Sequence, residues 1–224
     1  MHLVAQPVGF GNPLSDFVGV NGVSTRPYDP RFPQLCMDEI GKQLVKDKRA
    51  SLPMRPGDIE KIDYEYEREG VCNVFLACEP LAGKRSAQVT TRRTRADWAE
   101  FMREVIDVHY PEAEKIVLVM DQLNTHSPAS FYEAFDPQEA ERLWEKLEIH
   151  ATPTHGSWLN MAEIELAVLA GHPLKPRIGD QASVEREVRA WQEARNTKTV
   201  TVDWRFTTAD ARIKLKHLYP SLEV

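Results

Sequence analysis

The hydrophobic and polar positions of this chain follow two different periods, which divide it into a strand-rich part and a mixed part. Between about residue 33 and residue 91, short runs that alternate or are continuously apolar predict β-strands. The predicted strands are QLCM before Asp38, KQLVKDK, DYEYERE, VCNVFLAC and AQVTT. The nearly continuous apolar run VCNVFLAC is typical of a central strand.

A helical period begins after these strands. Thr94 with Asp97 three residues later has the form of a capping box. Apolar residues then recur at the spacing of an amphipathic helix that ends near His109. They are Trp98, Phe101, Met102, Val105 and Ile106. The run KIVLVM (115–120) next predicts a buried strand that leads directly into Asp121.

The rest of the chain is mostly helical by pattern. Proline suits the first helical position after Ser127 and after Asp136, where Glu139 stands at the capping-box position. The predicted elements are a helix from Ser127-Pro128, a helix from Asp136-Pro137 to about Leu147, the strand EIHAT, a helix MAEIELAVLA capped by Asn160 and stopped by Gly171, and helices over 181–195 and 208–218. This order predicts an α/β fold with a mixed sheet.

The first thirty residues differ from the remainder. They contain four glycines and four prolines and show no sustained period. We therefore predict an irregular lead-in over residues 1–30 and a single domain over residues 31–224, including its C-terminal helices.

Composition narrows the class of protein. Apolar residues make up 42% and charged residues 28% of the chain, which is ordinary for a globular protein. No apolar run reaches the roughly 18 residues of a membrane helix, and no secretory signal is recognisable. Cys36, Cys72 and Cys78 show no CxxC spacing, which favours buried, reduced thiols in a cytoplasmic protein over a disulfide or zinc site.

The net charge of −6 limits the ways in which the chain can bind nucleic acid. A protein that binds DNA unaided usually presents a basic face, because neutralisation of phosphate dominates the affinity. DNA binding by this chain must therefore depend on local basic patches, on a further domain or on metal ions.

Three carboxylates stand at or near the ends of predicted elements. Asp38 follows the first strand, Asp121 follows KIVLVM, and Glu163 lies one turn into a later helix. If the two strands are neighbours, the aspartates lie side by side, and a helix packed on the sheet can add the glutamate. Clustered carboxylates repel one another unless a cation compensates, so this grouping points to Mg²⁺ or Mn²⁺ bound by oxygen. Two such ions roughly 3.5–4 Å apart would support phosphoryl transfer.

At these residues the sequence resembles a known family. The segments CMDE, VLVMDQLNTH and HGSWLNMAEIEL resemble the DDE superfamily endonucleases, the transposases of bacterial insertion sequences related to the Tc/mariner group. The resemblance covers residues 26–224 and implies a ribonuclease-H-like mixed β-sheet flanked by helices. It implies that Asp38, Asp121 and Glu163 are the catalytic residues and bind two Mg²⁺ or Mn²⁺ ions, with Glu165 as the alternative for the last acid. It also implies DNA cleavage at element ends, followed by attack of the 3′-hydroxyl on target DNA.

Several neighbouring residues have competing explanations. Glu163 stands at the third position after Asn160, where a capping-box glutamate belongs, and such a carboxylate is not free to bind metal. Glu39 points to the opposite face of the strand from Asp38, which favours a role other than ligand. The candidates for holding the ligands or the phosphate in place are Asn124, His126, His155 and Asn160, each with a structural loop role as the alternative.

Two groups of basic residues are candidates for contact with DNA. The segment TRRTR (91–95) and its neighbours form the densest cluster, although such runs are usually solvated turns. The candidate residues are Lys84, Arg85, Arg92, Arg93 and Arg95. A second group near the C-terminus comprises Arg205, Arg212, Lys214 and Lys216.

The chain departs from the family before its catalytic segments. Residues 1–25 resemble neither the helix-turn-helix DNA-binding region nor the linker of related transposases, so we expect that region to be missing. The first interpretation is a transposase catalytic domain, for which DNA and a second copy of the chain in a homodimer are the candidate partners. Two alternatives stand beside it. One is a non-catalytic remnant or regulatory partner of a full-length transposase, and the other is a different ribonuclease-H-like nuclease acting on branched DNA or RNA.

Overall fold

The fold is seen in a computed structural model, which describes residues 20, 22–23, 26–49, 56–57, 64–153, 156–205, 210 and 213. Its centre is a five-stranded sheet in the order β3-β2-β1-β4-β5. The strands are β1 Gln34–Asp47, β2 Tyr66–Glu79, β3 Lys84–Thr90, β4 Ile116–Met120 and β5 Leu147–Ala151. The first three pair antiparallel, whereas β4 lies parallel between β1 and β5. The predicted α/β fold with a mixed sheet is confirmed.

The first strand is longer than the sequence pattern predicted. Asp38 does not end it but lies in its interior, because QLCM and KQLVKDK belong to the one strand β1. The strand continues through Asp38 because its partner β2 is equally long, and cross-strand pairing runs from Cys36 opposite Cys78 to Asp47 opposite Tyr66. Backbone pairing therefore overrides the polar residue that suggested a strand end.

The second strand also joins two predicted strands. The register between β1 and β2 shifts at Leu44/Val45, where Gly70 lies opposite with a φ of +116°. Glycine adopts this backbone conformation without the steric penalty of a side chain, so the bulge fits here and the pairing continues beyond it. The exposed DYEYERE end and the buried VCNVFLAC end thus form one element.

Helices cover both faces of the sheet. They are α1 Arg95–Glu104 with a π-helical continuation Val105–His109, α2 Pro128–Ala134, α3 Pro137–Glu145, α4 Ala162–Gly171 and α5 Gln181–Thr197, with a 3₁₀ turn at Ser157–Leu159. The capping box of Thr94 and Asp97 is present as predicted. Asp136 also caps its helix, but α3 ends two residues before Leu147, which instead begins β5.

The strands alternate their side chains between two apolar layers. Leu35 and Met37 of β1 point into the layer formed with α1, α2 and α3. Cys36, between them, points into the opposite layer, where α4 packs and Val119 of β4 lies. Asp38 therefore belongs to the α4 face, and Glu39 belongs to the α1 face.

Some predicted features fall elsewhere or outside the described residues. Most of the irregular lead-in and most of the helix predicted over 208–218 lie outside them. Cys36, Cys72 and Cys78 are buried and unpaired by disulfides. Within the described part of the chain, no helix combines the length and apolar character needed to cross a bilayer.

Candidate metal centre

The parallel pairing of β1 and β4 brings two aspartates to matching positions. Gln34, Leu35 and Cys36 pair with Val117, Leu118 and Val119 in that order. Two residues beyond Cys36 is Asp38, and two residues beyond Val119 is Asp121. Because side chains alternate along strands, both aspartates follow residues on the face that α4 covers. The predicted adjacency of the two strands is therefore present, even though Asp38 lies inside its strand.

Asn160 joins the beginning of α4 to the strand that carries Asp38. Its buried amide nitrogen donates to the Met37 carbonyl at 2.8 Å and lies 3.4 Å from Oδ2 of Asp38. Its amide oxygen accepts from the backbone N–H of Ala162 at 3.1 Å. One side chain thus holds the helix start, the strand backbone and an acidic oxygen together, and the sequence-based suggestion that Asn160 positions the site fits this geometry.

Glu163 lies in the first turn of α4, and its carboxylate is half-buried. The helix begins at Ala162, so Met161 occupies the cap position that the sequence assigned to Asn160. This one-residue shift removes Glu163 from the capping-box position. Its N–H bonds to the Asn160 carbonyl at 3.1 Å, and its side chain makes no hydrogen bond or ion pair with another described residue. The carboxylate is therefore available to a ligand.

The acidic groups on this face repel one another. Burial and, to a smaller extent, the charges of Asp121, Glu39 and Glu163 raise the pKa of Asp38 to about 6, although the backbone N–H of Glu39, which donates to Asp38 at 2.8 Å, acts in the opposite direction. A carboxyl group in this state gains from a nearby cation, because the cation favours its ionised form. Asp38, Asp121 and Glu163 therefore supply oxygen donors, and the repulsion that Asp38 experiences from the other two carboxylates would be relieved by a cation.

The three carboxylates do not form a compact cluster. Among the described residues, no group of three or more His, Cys, Asp or Glu side chains is close enough to hold a metal. The all-oxygen donor set still fits Mg²⁺ or Mn²⁺ better than a softer metal.

His126 contacts Asp121 from the opposite side. Its Nδ1 lies 2.8 Å from Oδ1 of Asp121, and its Nε2 lies 3.1 Å from Oε2 of Glu39. Both contacts are close enough for ion pairs between the ring and the two carboxyl groups. The ring is fully buried and packs on Trp98, with 5.5 Å between ring centroids.

These contacts set the charges of both partners. Burial by itself would lower the pKa of His126, but Asp121 and Glu39 outweigh it and raise the pKa to about 9. Burial would raise the pKa of Asp121, but His126 and the N–H of Leu123 hold it below its usual value. Near neutral pH a positive ring therefore lies between two negative carboxylates.

The basic candidates fall into different environments. Arg85 is only 3% exposed, and its guanidinium binds both oxygens of Glu165 at 2.8 and 3.0 Å. We therefore remove Arg85 from the set of DNA-contacting candidates, and its partner Glu165 is not free to replace Glu163. Arg195 adds a third member, 2.7 Å from Glu165. Nothing in the sequence indicated this burial, because Arg85 stands next to a predicted turn.

The other candidates remain at the surface. Arg92 is exposed, Arg95 lies 3.6 Å from Glu133, and Lys84 lies over the ring of Tyr110. Arg93 is half-exposed and lies 3.6 Å from Oε1 of Glu39, beside the acidic site. The remaining predicted residues are Asn124, which is exposed, Arg205, which pairs with Asp203, and His155, Arg212, Lys214 and Lys216, which lie outside the described residues.

Comparison with known proteins decides the family. A family model described as "DDE superfamily endonuclease" matches residues 33–185, a range that includes Asp38, Asp121 and Glu163. The chain belongs to the DDE superfamily endonucleases. No curated protein matches the chain. The resemblance read from the catalytic segments is thus confirmed at the level of the family.

Solved structures show the same fold. The Mos1 mariner paired-end complex with Mn aligns with a TM-score of 0.55 at 13% identity, covering 89% of this chain and 62% of the Mos1 chain. The Mos1 strand transfer complex gives 0.55 at 12% identity, with 89% and 62% coverage. The Mos1 paired-end complex with Mg gives 0.52 at 13% identity, with 96% and 65% coverage. This DDE domain therefore has the ribonuclease-H-like sheet and spans less than two thirds of the Mos1 chains.

The raised pKa of Asp38 predicts a pH-dependent cost of folding without metal. As pH rises from about 4 to about 6, the unfolded chain gives up this proton before the folded protein does, so stability falls across that window. The asparagine of Asp38→Asn has no ionisable proton, so this variant should not show this loss of stability. As pH rises through this window, the free energy of unfolding of Asp38→Asn should increase by about 1–3 kcal/mol relative to that of the wild type. Urea titrations in EDTA measure the difference, and parallel stability curves would contradict the assigned environment of Asp38.

Proposed function

We propose that this chain is the catalytic domain of a transposase, which cleaves DNA at the ends of a mobile element and transfers the strand to target DNA. The observation that carries the proposal is the register of β1 and β4, which sets Asp38 and Asp121 at matching positions on the face covered by α4. Glu163 begins that helix and is close enough to raise the pKa of Asp38. Family membership supports the same assignment.

The chemistry needs oxygen ligands and accurate placement. Two Mg²⁺ or Mn²⁺ ions held by Asp38, Asp121 and Glu163 would activate a water or a 3′-hydroxyl and stabilise the leaving oxygen of a phosphodiester. The residues around them supply rigidity: Asn160 holds Asp38 to the start of α4, and His126 holds one oxygen of Asp121. Preorganised groups of this kind lower the cost of reaching the transition state.

DNA is the proposed partner. The Mos1 structures that share this fold are paired-end and strand transfer complexes, and two of them are described with Mn or Mg. In this chain Arg92 is exposed and half-exposed Arg93 lies 3.6 Å from Glu39, the residue after Asp38, and we propose both as contacts for phosphate. With a net charge of −6, these local groups have to supply the attraction that the whole chain does not.

Ion binding and nicking together test the proposal. Calorimetry with MnCl₂ should show binding to the folded wild type, and supercoiled plasmid should be nicked with Mn²⁺ or Mg²⁺ but not with EDTA alone. The rate of nicking is then compared between inverted-repeat DNA, four-way junctions and RNA–DNA hybrids. Faster nicking of a junction or a hybrid would favour a different ribonuclease-H-like nuclease. Absence of Mn²⁺ binding would refute the intact metal site, and heteromers with a full-length relative would favour the regulatory alternative.

A further inference from the structure

We propose that Glu39, on the face of β1 opposite Asp38, is a positioning residue that couples the metal ligand Asp121 to Arg93. The inference rests on the proposed function, since it concerns the same site. Glu39 acts through His126 on one side and directly on Arg93 on the other. Its carboxylate would contact neither ion nor substrate.

The position of Glu39 is unusual for an acidic residue. Its side chain is only 2% exposed, in a layer otherwise made by α1, α2 and α3. Burying a carboxylate costs several kcal/mol unless charged partners compensate. Its two partners are His126 at 3.1 Å and Arg93 at 3.6 Å, and both reach the acidic site. The compensation of Glu39 therefore depends on the groups that surround the proposed reaction.

His126 transmits the position of Glu39 to Asp121. The ring is held between the two carboxylates and against Trp98, with no exposed surface, so it cannot turn without moving one of its partners. Oδ1 of Asp121 also accepts the N–H of Leu123 at 3.1 Å. One oxygen of Asp121 is thus occupied, and among the described residues its Oδ2 makes no hydrogen bond or ion pair. This arrangement leaves a single oxygen of Asp121 available to an ion.

Arg93 receives the second contact. Its side chain is 46% exposed, and its guanidinium lies 3.6 Å from Oε1 of Glu39. A guanidinium held on one side by a buried carboxylate keeps its other N–H groups directed to solvent, where they can bind a phosphate through two hydrogen bonds. Glu39 therefore sets the position of a phosphate-binding group and of a metal ligand together.

The test measures Mn²⁺ affinity as well as nicking. Glu39→Gln and His126→Gln should each weaken Mn²⁺ binding by about 10- to 100-fold, as loss of a group that orients a metal ligand does. The Mn²⁺ affinity of the double variant should lie within about threefold of that of the single variant with the lower affinity. The losses should not multiply, because both residues act through one contact. Arg93→Gln should raise the KM for DNA and leave Mn²⁺ affinity within about threefold of the wild type.

A matched control separates positioning from stability. Glu79 is another buried glutamate of the same sheet, 2% exposed, and it accepts from the hydroxyl of Tyr110 at 3.0 Å. Glu79→Gln makes the same chemical change away from the site and should leave Mn²⁺ affinity unchanged, whatever it does to stability. Circular dichroism confirms folding of each variant.

Four outcomes would overturn the proposal. A folded Glu39→Gln that binds Mn²⁺ as tightly as the wild type removes the role of Glu39 alone and leaves the proposed function standing. Losses that multiply in the double variant show that Glu39 and His126 act independently. A wild type that binds no Mn²⁺ removes the proposed function as well. If Glu39→Gln does not fold, Glu39→Asp keeps the charge but shortens the reach to His126, and unchanged Mn²⁺ affinity there also overturns it.

Discussion

Asp121→Asn is expected to reduce both Mn²⁺ affinity and metal-dependent nicking by on the order of a hundredfold or more. Asparagine has the same shape, and its oxygen can still accept the N–H of Leu123. It carries no charge, so an ion loses a ligand and the buried ring of His126 loses one of its two anionic partners. Calorimetry and plasmid nicking at matched protein concentration measure the two effects.

Asp136→Asn is the control for this substitution. Asp136 caps α3 by accepting from the N–H groups of Gln138 and Glu139, and asparagine caps a helix about as well as aspartate. This variant should therefore retain both Mn²⁺ binding and nicking. Full nicking by a folded Asp121→Asn would show that the activity arises from another site, and the proposed metal centre would be incorrect.

Arg85→Met is expected to destabilise the fold by about 3–5 kcal/mol, because removing one member of a buried ion pair leaves the other without compensation. Arg85 and Glu165 are 1% exposed at their side chains, and Arg195 is the remaining cation for Glu165. Arg85 also donates to the Gly83 carbonyl at 2.7 Å, which ties the turn between β2 and β3 to α4. Chemical denaturation monitored by circular dichroism gives the free energy of unfolding.

Arg31→Met is the matched surface control. Arg31 pairs with Asp29 at 2.9 Å, and its side chain is 63% exposed. Ion pairs at this exposure contribute little to stability, so the loss should be small. The Arg85→Met variant itself is also tested for DNA binding. At a temperature where Arg85→Met is folded, the affinity of Arg85→Met for DNA should match that of the wild type. A loss of stability below about 1 kcal/mol together with weaker DNA binding would restore Arg85 as a DNA contact.

The sequence predicts the acidic residues of the site but not all of their contacts. The three acids could be named because each stands in a recognisable segment, and Glu39 could be placed on the opposite face because side chains alternate along a strand. The contact of Glu39 with His126 could not be foreseen, since the loop after Asp121 has to fold back before the ring reaches the α1 face. Arg85 was misjudged for a related reason: its partners Glu165 and Arg195 lie on two helices far along the chain.

The boundaries of the strands depended on pairing rather than on local pattern. A polar residue such as Asp38 looks like a strand end when it is read alone, yet a long antiparallel partner supplies backbone hydrogen bonds beyond it. In the same way, the cap of α4 moved from Asn160 to Met161, because the Asn160 amide bonds to β1 instead of only capping the helix. The observed cap of α4 thus lies one residue after the predicted one. The observed end of β1 is Asp47, about nine residues after Asp38, where the strand was predicted to end.

The sequence by itself determined the order of helices and strands, the mixed α/β class and the family, because periodicity and short segments are local properties. Only the tertiary structure decided that β1 and β4 pair in parallel two residues before Asp38 and Asp121, that Glu163 is free of the capping box, and that Glu39 and Arg85 are buried in ion pairs. These facts follow from contacts between residues distant in the chain. Such contacts depend on how the sheet and its two helical layers pack, which no local pattern records.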